Sequence, residues 1–196
     1  MGLSSTEVAN MALTMIGAAG QITSLDDSSK EARICKMHYE QSRKSLLRLH
    51  PWNFAEARVT LSPLDETPTF GWTYAMQLPG DCLRILDVDD GEAEYKIEGR
   101  KMLIDSNSAD LRYIRDIQDF EEPLFIEALV AFLAFKISYA ITQSDTVRDV
   151  MFKAYQQVLA KARFVDATED PAKLQGANQF IDSRSGGAQF VRDPQT

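Results

Sequence analysis

The sequence predicts an α+β fold: a helical bundle of two αα-hairpins with an inserted small antiparallel β module and an extended C-terminal tail. Three observations carry this. Apolar residues recur at helical spacing on both sides of the middle of the chain. Between Arg58 and Arg115 the period shortens to that of strands broken by turn residues. Beyond residue 167 periodicity is lost. The boundaries that follow are 1–56 and 116–167 for the helical bundle domain, 57–115 for the β module and 168–196 for a docking tail. A chain of 196 residues, 44% of them hydrophobic, can bury a substantial core.

The first helix is expected from Ser5 to Ala18. Ser4 and Glu7 make a capping box, Val8, Met11, Ala12, Met15 and Ile16 form an apolar stripe, and Gly17 and Gly20 are stop signals. The loop Gln21 to Asp27 then leads into a helix of roughly 23 residues, about 34 Å long. A box of Ser28 with Glu31 opens it, and Ala32, Cys35, Tyr39, Ser42, Leu46 and Leu49 make one core seam. Pro51 ends it, because a residue ahead of proline is pushed out of the α region. Trp52 and Phe54 alternate into Arg58–Leu61 and are expected to form a hydrophobic corner against the helices.

Six short strands are expected at 58–62, 73–78, 82–88, 94–97, 101–104 and 111–114, forming a small sheet or barrel-like module. Turn chemistry separates them, as in Pro79-Gly80-Asp81 and Asp89-Asp90-Gly91, and Gly99 marks a hairpin between the fourth and fifth. Helix returns at Glu122-Pro123, with proline at the first helical position. The run Leu124 to Phe135 is apolar nearly all round. At about twelve residues it is shorter than the ~20 a bilayer demands, so it is expected to be the buried central helix. A last helix capped at Ser144 turns Val147, Val150, Met151, Ala154, Val158 and Leu159 inward. The remaining 168–196 are polar and aperiodic. They carry four large apolar side chains, Phe180, Ile181, Phe190 and Val191, expected to be partner-binding anchors in a tail that is mobile alone and fixed on docking.

The net charge of −8 is unevenly spread: residues 86–122 hold twelve acidic and five basic side chains. That balance argues against tight binding to a phosphate backbone, which needs a basic surface to release counterions. Asp87, Asp89 and Asp90 of this block are expected to face a DNA channel or open solvent rather than a basic partner. Cys35 and Cys82 read as small core residues, and the two histidines, His38 and His50, have no spacing that makes a metal site. No catalytic set, metal site or cofactor site is expected. The carboxylate pairs Asp26-Asp27, Asp89-Asp90 and Glu121-Glu122 sit at turns or helix starts, where acids cap amides. The basic residues of the long helix, Lys30, Arg33, Lys36, Arg43, Lys44 and Arg48, flank its seam and read as a solvated or subunit-contacting face. Met1-Gly2-Leu3-Ser4 has neither the basic start nor the apolar run of a signal peptide. Met1 to Thr6 matches the loose myristoylation pattern, but Ser4 and Glu7 read better as a helix cap.

A set of residues from Ala9 through Leu61 resembles the tail tubular protein A family, the head-to-tail adaptors of short-tailed bacteriophages. They are Ala9-Asn10-Met11-Ala12-Leu13, Ile16-Gly17, Ile22-Thr23-Ser24-Leu25, Ala32-Arg33, Tyr39, Arg43, Leu46-Leu47-Arg48 and Pro51-Trp52-Asn53-Phe54-Ala55. The Leu78-Pro79-Gly80-Asp81 turn, the small β region and the paired helices after it extend the likeness over most of residues 5–165. The acidic stretch around Asp89-Asp90-Gly91 departs from the pattern. The resemblance implies a structural virion protein, made in the host cytoplasm, in a ring of usually twelve copies between portal and tail nozzle. DNA would pass through the lumen without specific binding, no membrane is involved, and attachment of tail fibres stays open. Two other classes are a virion-associated hydrolase using a carboxylate pair and a nucleic-acid-binding regulator using the basic helix.

Overall fold

A computed structural model describes residues 2–91 and 93–169. It is a mixed α+β structure of four helices and two antiparallel three-stranded sheets. In chain order these are α1 (Ser5–Met15), α2 (Lys30–Leu49), β1 (Glu56–Leu61), β2 (Tyr74–Gln77), β3 (Cys82–Val88), β4 (Tyr95–Glu98), β5 (Lys101–Ile104), β6 (Ala109–Arg115), α3 (Pro123–Thr142) and α4 (Asp145–Glu169). Phe180, Ile181, Phe190 and Val191 lie outside the described residues.

The start of α1 is the expected capping box: Glu7 N donates to Ser4 Oγ at 3.2 Å and Ser4 N donates to Glu7 Oε2 at 2.7 Å. The helix ends three residues before the expected stop. Gly17 takes φ +72°, its amide reaches Thr14 O at 3.0 Å, and Ala18 N reaches Leu13 O at 3.0 Å. These two bonds are the Schellman pattern, which a left-handed glycine permits. The buried stripe is Val8, Ala9, Ala12 and Leu13, so Met11 and Met15, expected inside, lie exposed. In α2 the cap is Ser29, whose Oγ accepts Ala32 N at 3.1 Å, and not the Ser28–Glu31 box. The seam follows expectation from Ala32 to Leu46 but takes in Arg43 and Leu47, and Leu49 is left exposed. At 3.6 residues per turn a straight seam drifts around a 20-residue helix.

The central helix is longer than expected. α3 runs 20 residues, so by length and composition it passes for a membrane span, and the expected shortness is no argument against one. Its place here is set by packing: α1, α2 and α4 all contact it, and half of its length is buried. Pro123 stands at its first turn and Glu122 caps it, accepting Leu124 N at 3.4 Å. On α4, Met151 and Ala162 are buried while Val150, expected inside, is exposed. Ser144 caps this helix, accepting Val147 N at 3.3 Å.

Trp52 is fully buried, as expected of a corner residue, and donates from Nε1 to Leu46 O at 2.9 Å. The local backbone is a turn of 3₁₀ helix, Asn53–Ala55, and not the expected strand alternation. Phe125 stands edge-on to Trp52, Phe54 and Phe120 with ring centres 4.9–5.2 Å apart. Aromatic edges and faces attract at this spacing.

The strands make two sheets rather than one, ordered β1-β6-β3 and β2-β5-β4. Met76, Met102 and Ile104 from the second sheet and Leu61, Val88, Leu111 and Tyr113 from the first share a core of their own. Ile114, on the other side of β6, belongs to the helical core, with Leu83 and Leu86 half-buried against it. Arg48 Nη1 donates to Leu83 O at 2.9 Å and fixes α2 to β3.

The crossing from β6 back to the helices is held by Arg43, which is 1% exposed. Its Nη1 donates to Asp116 Oδ1 at 2.5 Å and to Ile117 O, and its Nη2 donates to Glu40 Oε2 at 2.9 Å. Arg43 was expected on a solvated or contact face. A partner 73 residues away decides its burial. Burial pushes the Asp116 carboxyl up, but hydrogen bonds from Arg43 and Lys44 outweigh this and hold it below its ordinary value. Arg43→Ala should therefore destabilise the chain by about 3 kcal/mol, since it leaves Asp116 without its buried partner. Urea unfolding checks this, and a loss under 1 kcal/mol would place the anchoring elsewhere.

Candidate functional site

Strand alternation gathers charge on one face of the first sheet. Glu56, Arg58 and Thr60 come from β1 and Asp110 and Arg112 from β6, with Asp87 on β3 and Asp89 just beyond it. All but Glu56 line a shallow depression of about 400 Å³, together with Val59 and Leu111. The register sets Asp87 opposite Arg112, and Arg112 Nε donates to Asp87 Oδ2 at 2.7 Å. Arg112 also reaches Glu56, at 3.4 Å. The Asp87 hydrogen bond holds the Arg112 guanidinium above its ordinary value. Asp89 takes φ 49°, which short polar side chains tolerate, and its Oδ1 accepts Asp110 N at 2.7 Å.

One of these acids, Asp87, has a basic neighbour within the chain that the sequence did not reveal. Asp87 faces Arg112 because antiparallel pairing puts opposite charges across from each other. Asp89 secures a turn. The side chain of Asp90 lies outside the described residues.

The only histidine–carboxylate contact among the described residues is His50 Nε2 to Asp166 Oδ2, at 2.9 Å. Both residues are 8% exposed. Asp166 also accepts Asn53 N at 3.2 Å, and its carbonyl accepts Asn53 Nδ2 at 2.9 Å. The cluster thus ties the end of α4 to the corner after α2. Burial lowers the His50 pKa from its ordinary value; Asp166 pulls it up, and Arg163 and Arg84 push it down again. Cys35 is buried and its thiol is pushed up to about 11 by burial and then by Glu31, while burial raises the Cys82 thiol. Neither thiol is activated as a nucleophile, which needs a lowered pKa.

The carboxylate pairs expected to cap do so in part. Asp27 Oδ2 accepts Thr23 N at 2.8 Å and Ser24 N at 3.0 Å, and Glu122 caps α3. Asp26 instead meets Lys36 at 2.6 Å in the open. Lys44 meets Asp116 at 3.1 Å, so with Lys36, Arg43 and Arg48 four cations of α2 are engaged within the chain. No group of three or more His, Cys, Asp or Glu suited to a metal occurs among the described residues.

Sequence reasoning missed the exposed apolar side chains. Phe70 is 86% exposed in the turn with Gly71 at φ +85°, and Met37 and Phe164 are 72% and 71% exposed. Tyr139, Val150 and Leu49 are also open. The signal for Phe70 was present: a large aromatic inside the turn-rich stretch Thr67 to Trp72 has no periodic partner to pack on. No protein-family model matches the chain, and no curated protein matches it in sequence.

Asp87→Lys should lower stability by about 1 kcal/mol, by removing a cross-strand ion pair and placing like charges opposite each other. Unfolding by urea checks it, and an unchanged midpoint would mean that Asp87 does not hold the sheet. The His50 shift has a definite sign. A pKa lowered on folding contributes stability above the unfolded value of about 6.5 that is lost as pH falls through the folded value. Stability should decline from about pH 6.5 downward, and His50→Gln, which keeps a donor toward Asp166, should flatten that decline. Identical profiles for the two proteins would remove His50 as the cause.

Proposed function

We propose that the chain is a structural virion protein, a head-to-tail adaptor that forms a ring between portal and tail nozzle and lines the DNA passage. The observation that carries this is the distribution of exposed large apolar side chains. Phe70 lies on the β module, Met37 and Leu49 on α2, Tyr139 on α3, and Val150 and Phe164 on α4, so several faces offer apolar contacts. A ring subunit needs such contacts on two flanks and at both ends, and exposed apolar surface marks protein interfaces.

The likeness to the tail tubular protein A family supports the same reading, and with it a helical bundle of two αα-hairpins with the small antiparallel β module inserted between them. Portal protein and tail nozzle protein are the partners. Phe180, Ile181, Phe190 and Val191 would dock the tail on the portal, and the surplus acids of residues 86–122 would face passing DNA without binding it.

Particle mass tests the proposal. The full chain, alone or mixed with portal, should give a closed assembly of about twelve copies, each of 22.0 kDa. A chain deleted of residues 172–196 should still form the ring but lose portal binding. A full chain that stays monomeric with and without portal sinks the adaptor reading. Unimpaired portal binding by the deleted chain rejects the tail's part in it.

A further inference from the structure

An apolar groove of about 740 Å³ runs between α1 and α4, over α3. Its cause is in the sequence of α3, which is apolar nearly all round and so needs cover on most sides. α1, α2 and α4 cover it, but α1 and α4 stand apart, and the gap is the groove. Ile126 and Val130 form its floor, Met11 and Met15 one wall, and Val158 the other. The exposure of Met11 and Met15, unexpected for a helix stripe, is exposure into this groove. Two carboxylates, Glu7 and Glu127, are the only charges in the lining. Glu7 is held by Ser4, whereas Glu127 has no hydrogen bond or ion pair among the described residues.

We propose that this groove is the docking site for the chain's own C-terminal segment, residues 170–196, through Phe180-Ile181 or Phe190-Val191. Three observations select that occupant. The first is reach: Val158 lies eleven residues back along α4 from Glu169, about 16 Å of helix, while Phe180 lies eleven residues beyond Glu169, up to about 36 Å of extended chain. The second is size, since a groove within the volume range of small-ligand pockets, about 300–1,000 Å³, has room for a pair of large apolar side chains. The third is charge. Arg184 follows Phe180 by four residues and Arg192 follows Phe190 by two, so each anchor carries a guanidinium within reach of Glu127, with Asp182 and Asp193 as the acids beside them. Attachment to the same chain makes docking intramolecular, which raises the effective concentration of the segment. The proposal goes beyond the adaptor reading and does not rest on it: the groove would shelter the anchors in the free chain whatever they bind later.

The test uses the full chain with Ser185→Cys carrying a nitroxide label and with ¹³C-labelled methionine methyls. Cys35 and Cys82 are buried and stay unlabelled, and Met76 and Met102, fully buried in the β core, are internal controls. The Met11 and Met15 methyl signals should lose most of their intensity while those of Met76 and Met102 keep theirs. Phe180→Ser with Phe190→Ser in the labelled chain should restore Met11 and Met15. Undiminished Met11 and Met15 signals in the labelled chain would overturn the proposal. So would broadening that appears only when a labelled chain is mixed with a separate ¹³C-labelled one, because the occupant would then be a neighbour's segment.

Discussion

A buried guanidinium holds this molecule together where its two parts meet. The chain leaves the helices after α2 and returns to them after β6, and Arg43 clasps the returning strand through Asp116 and the carbonyl of Ile117. Its Nε has no hydrogen-bond partner among the described residues. An apolar side chain of similar volume at this position could match its stability, because desolvating an ion pair offsets most of its attraction. What the guanidinium adds is direction: only a connection that brings both a carboxylate and a carbonyl to that point satisfies it. Lys44, one residue further along α2, reaches the same carboxylate from the exposed side. The departing crossing is fixed in the same manner, by Asp166 holding His50 and the amide and side chain of Asn53. Two polar clasps therefore set the β module against the helices, and the apolar contact of Ile114, Leu83 and Leu86 fills the space between them.

The second constraint is α3. A helix apolar nearly all round has only a weakly preferred face, so its neighbours are chosen by what the rest of the chain can bring. α2 and α4 supply aliphatic and aromatic side chains, and Phe125 gathers Trp52, Phe54 and Phe120 around its first turns. α1, at 11 residues, is short enough to cover only part of the remaining side. The glycine stop at Gly17 fixes that length, and with it the groove.

Local signals were legible and pairwise ones were not. The bounds of β3 and β5 match expectation residue for residue, because Pro79-Gly80-Asp81 and Gly99 punctuate them unambiguously. The caps at Ser4, Glu122 and Ser144 could be read for the same reason, since a cap needs only a few consecutive residues. Burial was harder. Met11, Leu49 and Val150 each fit a helical stripe, yet a stripe gives an axis and not the number of neighbours around it. The burial of Arg43 and the pairing of Asp87 depend on contacts 73 and 25 residues distant, and periodicity carries no information about them. The division into two sheets likewise follows from β1 pairing with β6 across the whole module. Of the acidic trio, the sequence revealed the concentration of charge but not its partners.

Those partners change what the acidity means. Among the five cations of residues 86–122, Lys96 meets Glu98, Lys101 meets Glu66, Arg112 meets Asp87, and Arg100 donates to Cys82 O. Arg48, just across the junction, is spent on a backbone carbonyl. Cations already paired within the chain must give up those partners before they can displace the counterions condensed on a phosphate backbone, so they add less affinity for DNA. The acids in excess remain, and pairing leaves their net charge untouched. A surface of this kind repels a polyanion at long range, with Arg115 the one cation of the block left without an ion pair or side-chain hydrogen bond among the described residues. The proposed role as a conduit wall would call for that electrostatic character, and it arises because the fold engages four of the block's five cations within the chain.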